Sequence, residues 1–540
     1  MGASHSTDYR PSPEQQEQES LANSTGFFTF LKSAFARLSV PQSQCIPLSS
    51  LQLSLSVPSV TLGSASSISA PDFPLLLPHV GPASSELLFA AGKDGTDWTA
   101  FLQGYNKCCA RMSASSSFNL LCRLFYGVCR RAGIASPLDF DQKDAEGGKV
   151  EGRMEAGELL MLLWLCWVME QSPRIAKRGG GEVFLPDLSQ MLLSAFAACG
   201  EVVDDDGLWD FDCLQSGKSV SLQKLCVWLL TTAPGLLNCF PYFLREKIRA
   251  IAVSGENSNN DSILSASGGS STTNFNDNFL LTFGAAWAIS LTQRNSIGEE
   301  LSAASFSGLL DQTLDNLLYR SSAHGKGLNR FWSRLEGYHG PLLFLFSGIS
   351  SSSSDVKSHA RRWVVGILIE HGFQNRDIFY GNSAHLYAIY PIFHVLPPTG
   401  KEKNFIYSHL RHTGRFYEAS PKPVGLAFGG TIGNERIFID EDFSRVIVRH
   451  HAVDKTYQHG SLLPNQGYLP VEASLVEAEV WGFGGRSAKE EQNAFKRREE
   501  LFTEQRRKVD LKTFSSWEDS PEKMMLGMIS DPNKVQREDR

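Results

Sequence analysis

Cysteine is missing from every position after Cys239, and no two of the ten cysteines are spaced as Cys-x-x-Cys. The lack of that spacing argues against a structural zinc site, whose ligands commonly come in such pairs. The cysteines that are present lie in apolar stretches, for example Cys166 in Leu-Trp-Leu-Cys-Trp. This pattern predicts buried, reduced thiols in a cytosolic protein.

Long hydrophobic runs and a strong net charge are also lacking. The longest apolar run, Leu159–Met169, is too short to cross a bilayer and predicts a buried helix. Residues 1–20 are polar and acidic, so we expect no secretory signal. The net charge of −7 comes with no dominant basic tract, which argues against nucleic acid as the main partner. With 540 residues and 42% hydrophobic content, the chain can form several domains with real cores.

Catalytic motifs are absent as well. His450–His451 and the acidic cluster Asp440–Asp442 show no HExxH spacing, nucleophile elbow or paired acid and base. The glycines beside predicted strands lack the strand-to-helix context of a phosphate loop and are interpreted as turn residues: Gly429, Gly430, Gly484 and Gly485. We therefore expect a non-enzymatic protein with no catalytic residue, no cofactor and no identifiable small-molecule substrate.

The first six residues, Met-Gly-Ala-Ser-His-Ser, fit the pattern for N-myristoylation at Gly2, with Ser6 at the hydroxyl position. The alternative is an ordinary disordered N-terminus, and residues 1–24 are polar enough to be predicted disordered. One myristoyl chain binds membranes only marginally, so a second contact is required. Because no polybasic run follows Gly2, that second contact is predicted to be a protein partner.

Residues 25–252 show helical spacing of apolar side chains and predict a helical domain. Its first segment, Thr25–Leu38, is amphipathic; it lies in a membrane interface or, the interpretation we favour, begins this domain. The acidic clusters at Asp139, Asp204 and Asp210 lack ligands at positions that a calcium loop requires, so no metal site is expected. A Ser/Asn/Gly-rich linker follows and is placed at residues 253–275.

The second half of the chain contains short apolar runs that predict strands covered on both faces. These runs are Pro341–Phe346, Trp363–Ile369, His385–Ile392, Val424–Gly430, Arg436–Asp440 and Glu477–Gly484. Helical spacing occurs ahead of them at Phe306–Asn316 and Leu328–Leu335. The pattern predicts an antiparallel two-sheet core with helices packed on it.

An ordered set of residues in this region resembles a TLDc domain. The opening is Leu318–Gly325, Phe331 and Gly340–Leu343; Gly-Leu-Ala-Phe-Gly-Gly, Asp440 and Glu479-Val480-Trp481 then follow in the family's order. The motif residues carried over are His324, Gly325, Gly340, Pro341, Gly429, Gly430, Asp440, Glu479 and Trp481. The resemblance implies a two-sheet β-sandwich with flanking helices at residues 276–485, and α+β as the fold class of the chain.

Within the family, the arrangement is most similar to an N-myristoylated lysosomal branch with an EF-hand-like N-terminal region. The resemblance implies an adaptor that binds or regulates the vacuolar-type proton ATPase at the lysosomal or vacuolar surface, and that feeds TOR signalling. Expected partners are V-type ATPase subunits and a membrane surface, with a cytoplasmic, peripheral location on endomembranes. The alternative is an oxidation-resistance or stress-response protein, in the nucleus or nucleolus.

Residues 486–540 predict a C-terminal helical tail. Ser487–Asp510 is rich in good helix formers, and Ala488, Phe495, Phe502 and Val509 recur at seven-residue steps. This spacing places a narrow apolar seam on a charged helix. The seam is predicted to bind a partner helix or groove, or else to pack back on the TLDc region, and the sequence leaves both alternatives open.

Overall fold

The computed structural model describes residues 12–63, 70–90, 92, 95–136, 138–140, 150–179, 182–202, 208–209, 211–254, 279–306, 313–350, 360–411 and 421–517. Gly2 lies outside the described residues, as do the acidic stretch 203–207 and most of the predicted linker. Val509 is described by its backbone alone. Most of the predicted helix 306–316 also lies outside them.

The N-terminal domain is helical, as the apolar spacing predicts. Its helices are α1 Pro13–Ser24, α2 Phe28–Leu38, α3 Leu48–Ser54, α4 Phe73–Leu76, α5 Val80–Leu88, α6 Trp98–Cys109, α7 Ala114–Ala132, α8 Ala156–Arg178, α9 Ser189–Ala198, α10 Leu222–Thr232 and α11 Cys239–Val253. Short strands lie in the connections: β1 Thr61–Gly63, β2 Asp139–Phe140, β3 Val150–Glu151, β4 Arg153–Glu155, β5 Glu182–Phe184 and β6 Ser219–Ser221. Single 3₁₀ turns occur at Leu77–His79 and Pro234–Asn238.

Helix α8 is the centre of this domain. It begins with a capping box, in which the Glu155 and Glu158 side chains accept from each other's backbone N–H, and it ends at Gly179 in the left-handed region. Every residue of the apolar run Leu159–Met169 is buried, which confirms the predicted buried helix. Eight of the ten free cysteines are buried too, as their apolar surroundings predict.

Helix α1 corrects the prediction that residues 1–24 are disordered, at least for Pro13–Ser24. Ser12 caps the helix by accepting from the Gln15 N–H, and Pro13 occupies the first turn, where its missing N–H costs nothing. Polar contacts then attach α1 to α6: Trp98 Nε1 donates to Glu19 at 2.8 Å. Hydrophobic spacing could not reveal this helix, because hydrogen bonds rather than apolar side chains hold it.

Helix α2 settles the alternatives for the amphipathic segment Thr25–Leu38. Leu31 and Ala34 are buried, and the helix packs on α11, with the Ser33 hydroxyl donating to the Ala252 carbonyl. The segment therefore begins the helical domain. None of the described single helices is long and apolar enough to cross a membrane; α10 together with Pro234–Val253 passes that test only as a pair bent by 101°.

Pairs of helix–loop–helix units recur in the domain. Strands β4 and β6 pair antiparallel, and they immediately precede α8 and α10. A second bridge joins Ile46 to Thr96, just before α3 and α6. In both cases two helix-connecting loops lie side by side through a short antiparallel contact.

A helical hairpin, residues 279–306, connects the two halves of the molecule and is called the interdomain hairpin below. It contains α12 Phe283–Ser290 and α13 Ser296–Ala304. Its apolar residues share one continuous core with the helical domain on one side and with one face of the following sheet on the other. The hairpin is therefore a buried layer between the two.

The second half forms a mixed region dominated by one antiparallel sheet. Its strands are β7 Leu317–Arg320, β8 Leu342–Ser350, β9 Arg361–Ile369, β10 Arg376–Tyr380, β11 Ala384–Tyr390, β12 His394–Leu396, β13 Ile406–His409, β14 Gly425–Thr431, β15 Asn434–Asp440, β16 Arg445–Val448 and β17 Val471–Gly482. Its helices are α14 Ser321–His324, α15 Leu328–Leu335 and α16 Gly485–Trp517.

The predicted two-sheet sandwich is wrong, because the strands form one curled sheet of 11 strands. Their order is β10-β13-β14-β15-β16-β17-β8-β9-β11-β12, with β7 added on β17. The 12-residue strand β17 joins what would be two sheets: its start pairs with β16, and its remainder pairs with β8 and β7. A register shift at Leu475/Glu477 bends it between these partners.

Both faces of the central strands are covered, as the apolar runs predict. In β8, Leu343 and Leu345 face the interdomain hairpin, whereas Leu342, Phe344 and Phe346 face the core enclosed by the curled sheet. Alternate side chains of a strand point to opposite faces, so a continuous apolar run fills two cores at once.

Candidate functional site

Glu479 forms a buried anchor for the interdomain hairpin. The Leu280 N–H donates to both of its carboxylate oxygens at 3.1 Å, and the Leu281 N–H donates at 3.4 Å. Trp481 Nε1 donates to the same carboxylate at 3.0 Å, and Arg320 Nε lies 3.6 Å away. The carboxylate thus receives donors from the hairpin and from its own strand. This is an arrangement that positions the chain.

The electrostatics of Glu479 follow from its burial. The side chain is fully buried, and removal from water raises its pKa to about 7 although its hydrogen bonds and Arg320 oppose the shift. Trp481 is also fully buried and meets the Phe279 ring edge-on, with ring centroids 5.7 Å apart. These two predicted TLDc motif residues are therefore brought together, and both face the start of the hairpin.

A second polar group holds the opposite side of the hairpin to α8. The Glu170 carboxylate accepts from Trp287 Nε1 at 2.8 Å and from the Ser302 hydroxyl. Gln171 Nε2 donates to the Ser302 carbonyl at 3.1 Å, and Trp167 Nε1 donates to Ser305 Oγ at 3.2 Å. Buried polar groups that are paired in this way fix one arrangement of the layers.

The remaining motif residues shape turns and close contacts. A side-chain carbon on Gly340 would lie 2.9 Å from both Ala488 Cβ and Gly484 Cα, so a larger residue would separate α16 from the sheet. Pro341 supports the same junction, since its carbonyl accepts from the Phe483 N–H at 2.8 Å. Gly429 and Gly430 have φ of +67° and +93°, which only glycine adopts freely, and they turn the end of β14.

Asp440 and His324 each hold a turn. Asp440 accepts from the Ser444 N–H at 2.8 Å and from its hydroxyl at 2.6 Å, which closes the β15–β16 connection. His324 Nδ1 accepts from the Arg320 N–H at 2.9 Å, and burial lowers its pKa. Gly325, at φ +89°, follows and accepts from the Tyr319 hydroxyl through its carbonyl at 2.9 Å. The carboxyl and imidazole groups therefore serve local structure.

The first turns of α16 dock on the sheet domain, which corrects the assignment of Ala488 and Phe495 to a partner-binding seam. Ala488 is buried between Gly340 and Gly484. Phe495 lies against Gly337, where an added Cβ would stand 2.6 Å from the ring. Gln492 Nε2 donates to the Arg334 carbonyl at 2.8 Å, and so occupies a carbonyl left open at the end of α15.

The later turns of α16 project away from these contacts. Leu501 and Phe502 are 54% and 62% exposed. The predicted seam is therefore divided: its first half packs at home, and Phe502 remains in solvent. The side chain of Val509 lies outside the described part. Of the two alternatives left open by the sequence, each applies to one half of the helix.

The histidine pair found in the sequence does not form a catalytic arrangement. The His450 ring stacks on Tyr468, with centroids 5.0 Å apart, and His451 Nδ1 is 3.9 Å from the Asp454 carboxylate. Asp454 in turn forms a buried ion pair with Arg436. Burial lowers the pKa of His451. In the described residues, no group of three or more His, Cys, Asp or Glu could hold a metal ion.

Sequence reasoning missed the polar anchors, namely Glu170, Gln171, Arg436, Asp454 and Gln492. Their partners are remote in sequence: Gln492 contacts Arg334, and Glu170 contacts Trp287 and Ser302. The available signal was a polar residue inside an apolar stretch, as with Glu170 and Gln171 directly after Met169. Such a residue must find a partner once it is buried.

These features define an α+β protein in which a helical domain is joined through a buried hairpin to a curled antiparallel sheet. Residues 293–484 match the family model of the TLDc domain, and this match supports assignment of that region to the TLDc family. The match begins after α12, so it includes α13 and the sheet. The TLDc domain is linked to oxidation-resistance and stress-response proteins and to V-ATPase-related proteins. A search of curated proteins finds no match for the chain.

Proposed function

We propose that this protein is a non-enzymatic adaptor that binds or regulates the vacuolar-type proton ATPase at a lysosomal or vacuolar surface and feeds TOR signalling. The TLDc match supports the proposal, because that domain is linked to V-ATPase-related proteins. The described carboxylates and histidines of the motif hold turns and the interdomain hairpin, which favours a binding role over a catalytic one.

The observation that carries the proposal is the projecting half of α16. A helix whose first turns are fixed to its own domain presents Leu501 and Phe502 to solvent. Exposed apolar side chains on a pre-formed helix suit the groove of a partner, since little conformational entropy is lost on binding. We assign Phe502, together with Leu501, to the contact with the ATPase.

The paired helix–loop–helix units support an EF-hand-like description of the N-terminal domain. In that description the β4–β6 pair and the Ile46–Thr96 bridge correspond to the contacts between neighbouring loops. We propose that the domain serves as a structural module without calcium, because the candidate loops lack ligands at required positions. Titration of the full chain with calcium at cytosolic concentrations should then leave its melting temperature unchanged.

Membrane attachment is proposed to come from myristoylation of Gly2. A single acyl chain gives weak, reversible binding. Gly2→Ala should therefore move the protein to the soluble fraction, while the ATPase contact through α16 persists in detergent extracts. An unmodified Gly2 by mass spectrometry, with equal fractionation of both proteins, would contradict the membrane part of the proposal alone.

The decisive experiment is a pull-down of V-ATPase from solubilised lysosomal or vacuolar membranes. Leu501→Ala/Phe502→Ala should weaken capture about a hundredfold, because two apolar side chains no longer become buried. The matched control is Tyr468→Ala/Leu469→Ala, which truncates two neighbouring exposed apolar residues elsewhere on the domain. Equal capture by wild type and both variants would remove α16 as the contact.

The stress-response alternative is favoured less by the thiols. Burial raises the pKa of Cys129 to about 12 and that of Cys199 to about 11, so these thiols are poor nucleophiles. A role in oxidative stress would then operate through binding. If peroxide consumption by the purified chain exceeds that of a variant with all ten cysteines replaced by Ser, direct thiol chemistry gains support over the adaptor.

A further inference from the structure

A cavity of about 360 Å³ lies where three parts of the chain meet. The helical domain supplies Asp187, Gln190 and Met191; the interdomain hairpin supplies residues of 279–288; and the sheet supplies residues of β9 and β11 and the turn after β11. Its size falls within the range of small-molecule sites, which occur preferentially at such junctions. None of the TLDc motif residues lines it.

One wall of the cavity is apolar and incompletely covered. Four side chains of the core retain a little exposure there: Leu280 6%, Ala285 6%, Val364 7% and Ile389 6%. Met191 and Phe393 complete this wall and are almost fully buried. Contact with an apolar ligand would remove the remaining surface from water, which is favourable in proportion to its area.

The polar side of the cavity has one available charge. Asp187 is engaged by its own chain, since its Oδ1 accepts from both the N–H and the hydroxyl of Ser189, at 2.9 and 2.7 Å. Thr282 Oγ1 is likewise engaged by the Ala285 N–H at 3.1 Å. Arg362 is exposed at the cavity, and its guanidinium makes no hydrogen bond or ion pair with the part of the chain that the structure describes.

We propose that this cavity binds a small anionic amphiphile, with a carboxylate head group paired to Arg362 and an acyl body of medium length on the apolar wall. A guanidinium presents parallel N–H donors that match a carboxylate, so Arg362 selects the charge of the ligand. The size of the enclosed space and its apolar lining select the body. The site is independent of the proposed ATPase contact, because that contact involves the far end of α16.

Binding should join the two halves of the molecule. The ligand would touch α9, α12 and the strands β9 and β11 at once, so it binds only when these elements are assembled. A ligand that binds the folded state alone raises the melting temperature in proportion to its saturation. The proposal therefore predicts a thermal shift as well as binding.

The test uses the full chain and octanoate, with isothermal titration and ligand-observed NMR as readouts. Octan-1-ol supplies the body without the charge, and acetate supplies the charge without the body. Octanoate should bind saturably and raise the melting temperature, and each of the other compounds should bind at least tenfold more weakly. Binding of acetate as tight as that of octanoate would show an exposed arginine only and would overturn the proposal.

Arg362→Gln should weaken octanoate binding roughly tenfold and bring it close to octan-1-ol. Arg361→Gln is the matched control, because this neighbour on β9 points to the opposite face and its guanidinium lies over Trp209. Equal loss in both variants, or none in Arg362→Gln, would overturn the assignment of the head-group site.

Ala288→Leu tests the body site, since Ala288 lines the cavity from α12 and is buried. The longer side chain should occupy the space of the acyl chain and weaken octanoate binding at least tenfold without unfolding the protein, as judged by its melting temperature. Undiminished binding in a folded Ala288→Leu would place octanoate elsewhere and refute the proposal. If this variant unfolds, the result with Arg362→Gln, a change at an exposed position, still decides.

Discussion

Two helical segments border the TLDc sheet, and they are attached in different ways. The interdomain hairpin is buried between the sheet and α8, and buried carboxylates hold it from both sides: Glu479 from the sheet and Glu170 from α8. Helix α16 is held only along its first turns, and beyond them its apolar side chains stay in water.

This difference distinguishes a permanent contact from an available one. A segment whose polar groups are paired and whose apolar groups are covered within the chain has little left to offer a partner. A helix that is fixed at one end and exposed at the other presents its surface without first having to fold. Substitutions should therefore affect stability at the hairpin and binding at the end of α16.

The largest effect is expected at the anchor of the hairpin. Trp481→Ala should lower the free energy of unfolding by about 4 kcal/mol, because it leaves a cavity and removes a donor from buried Glu479. Urea denaturation measures the change. A loss below about 1 kcal/mol would mean that the hairpin is not held in the way described.

The pH dependence of stability sharpens the same side of the comparison. The pKa of Glu479 is raised from 4.5 to about 7 in the folded protein, so the folded chain binds this proton more tightly than the unfolded chain does. Its contribution to the free energy of unfolding is fully present below about pH 4.5 and is lost as the pH rises through 7. The total loss is about 3 kcal/mol.

Glu479→Gln isolates this contribution. The stability of the wild type minus that of Glu479→Gln, measured by urea denaturation from pH 5 to pH 8, should fall as the pH rises. Buried histidines such as His385 and His394 have lowered pKa values and give the opposite slope, but they are present in both proteins and cancel in the difference. A difference that does not change with pH would refute the prediction.

The docked part of α16 should show an intermediate effect. Gly337→Ala should destabilise the protein by about 2 kcal/mol, since φ is +80° and the new methyl group meets the Phe495 ring. Gly433→Ala has a similar φ of +89° but open space around it, so it should cost about 1 kcal/mol. Hydrogen exchange should speed up at the start of α16 in Gly337→Ala alone.

The smallest effect on stability is expected at the projecting end. Leu501→Ala/Phe502→Ala should change the free energy of unfolding by less than about 0.5 kcal/mol, because exposed side chains contribute little to the fold. Thermal denaturation checks this value. A substantially lower melting temperature would show that the end of α16 packs within the protein, and the distinction between the two segments would disappear.

The strands and buried helices of this fold could be predicted from local patterns. The apolar run of β8 predicts a strand covered on both faces, and the run Leu159–Met169 predicts the buried part of α8. The number of sheets could not be predicted, because it depends on β17 and on its register shift at Leu475/Glu477. Pairing between strands far apart in sequence leaves no mark in the hydrophobic pattern.

The candidate sites show the same limit of local patterns. Seven-residue spacing identifies Ala488, Phe495 and Phe502 as one face of α16. It does not contain Gly337 or Gly340, the distant glycines whose missing side chains let only the first half of that face approach the sheet. The interdomain cavity was likewise unpredictable, since its walls come from segments on both sides of the linker.

The connection from β17 to α16 gives the projecting helix a defined reach. Gly482, Phe483 and Gly484 each donate a backbone hydrogen bond to the sheet domain, so the helix starts from a fixed point without a loose tether. At 1.5 Å per residue, Phe502 lies about 10 Å beyond Phe495, and the whole 33-residue helix spans about 50 Å. A partner bound along it is held at a set distance and direction from the sheet, so α16 acts as a ruler between the two.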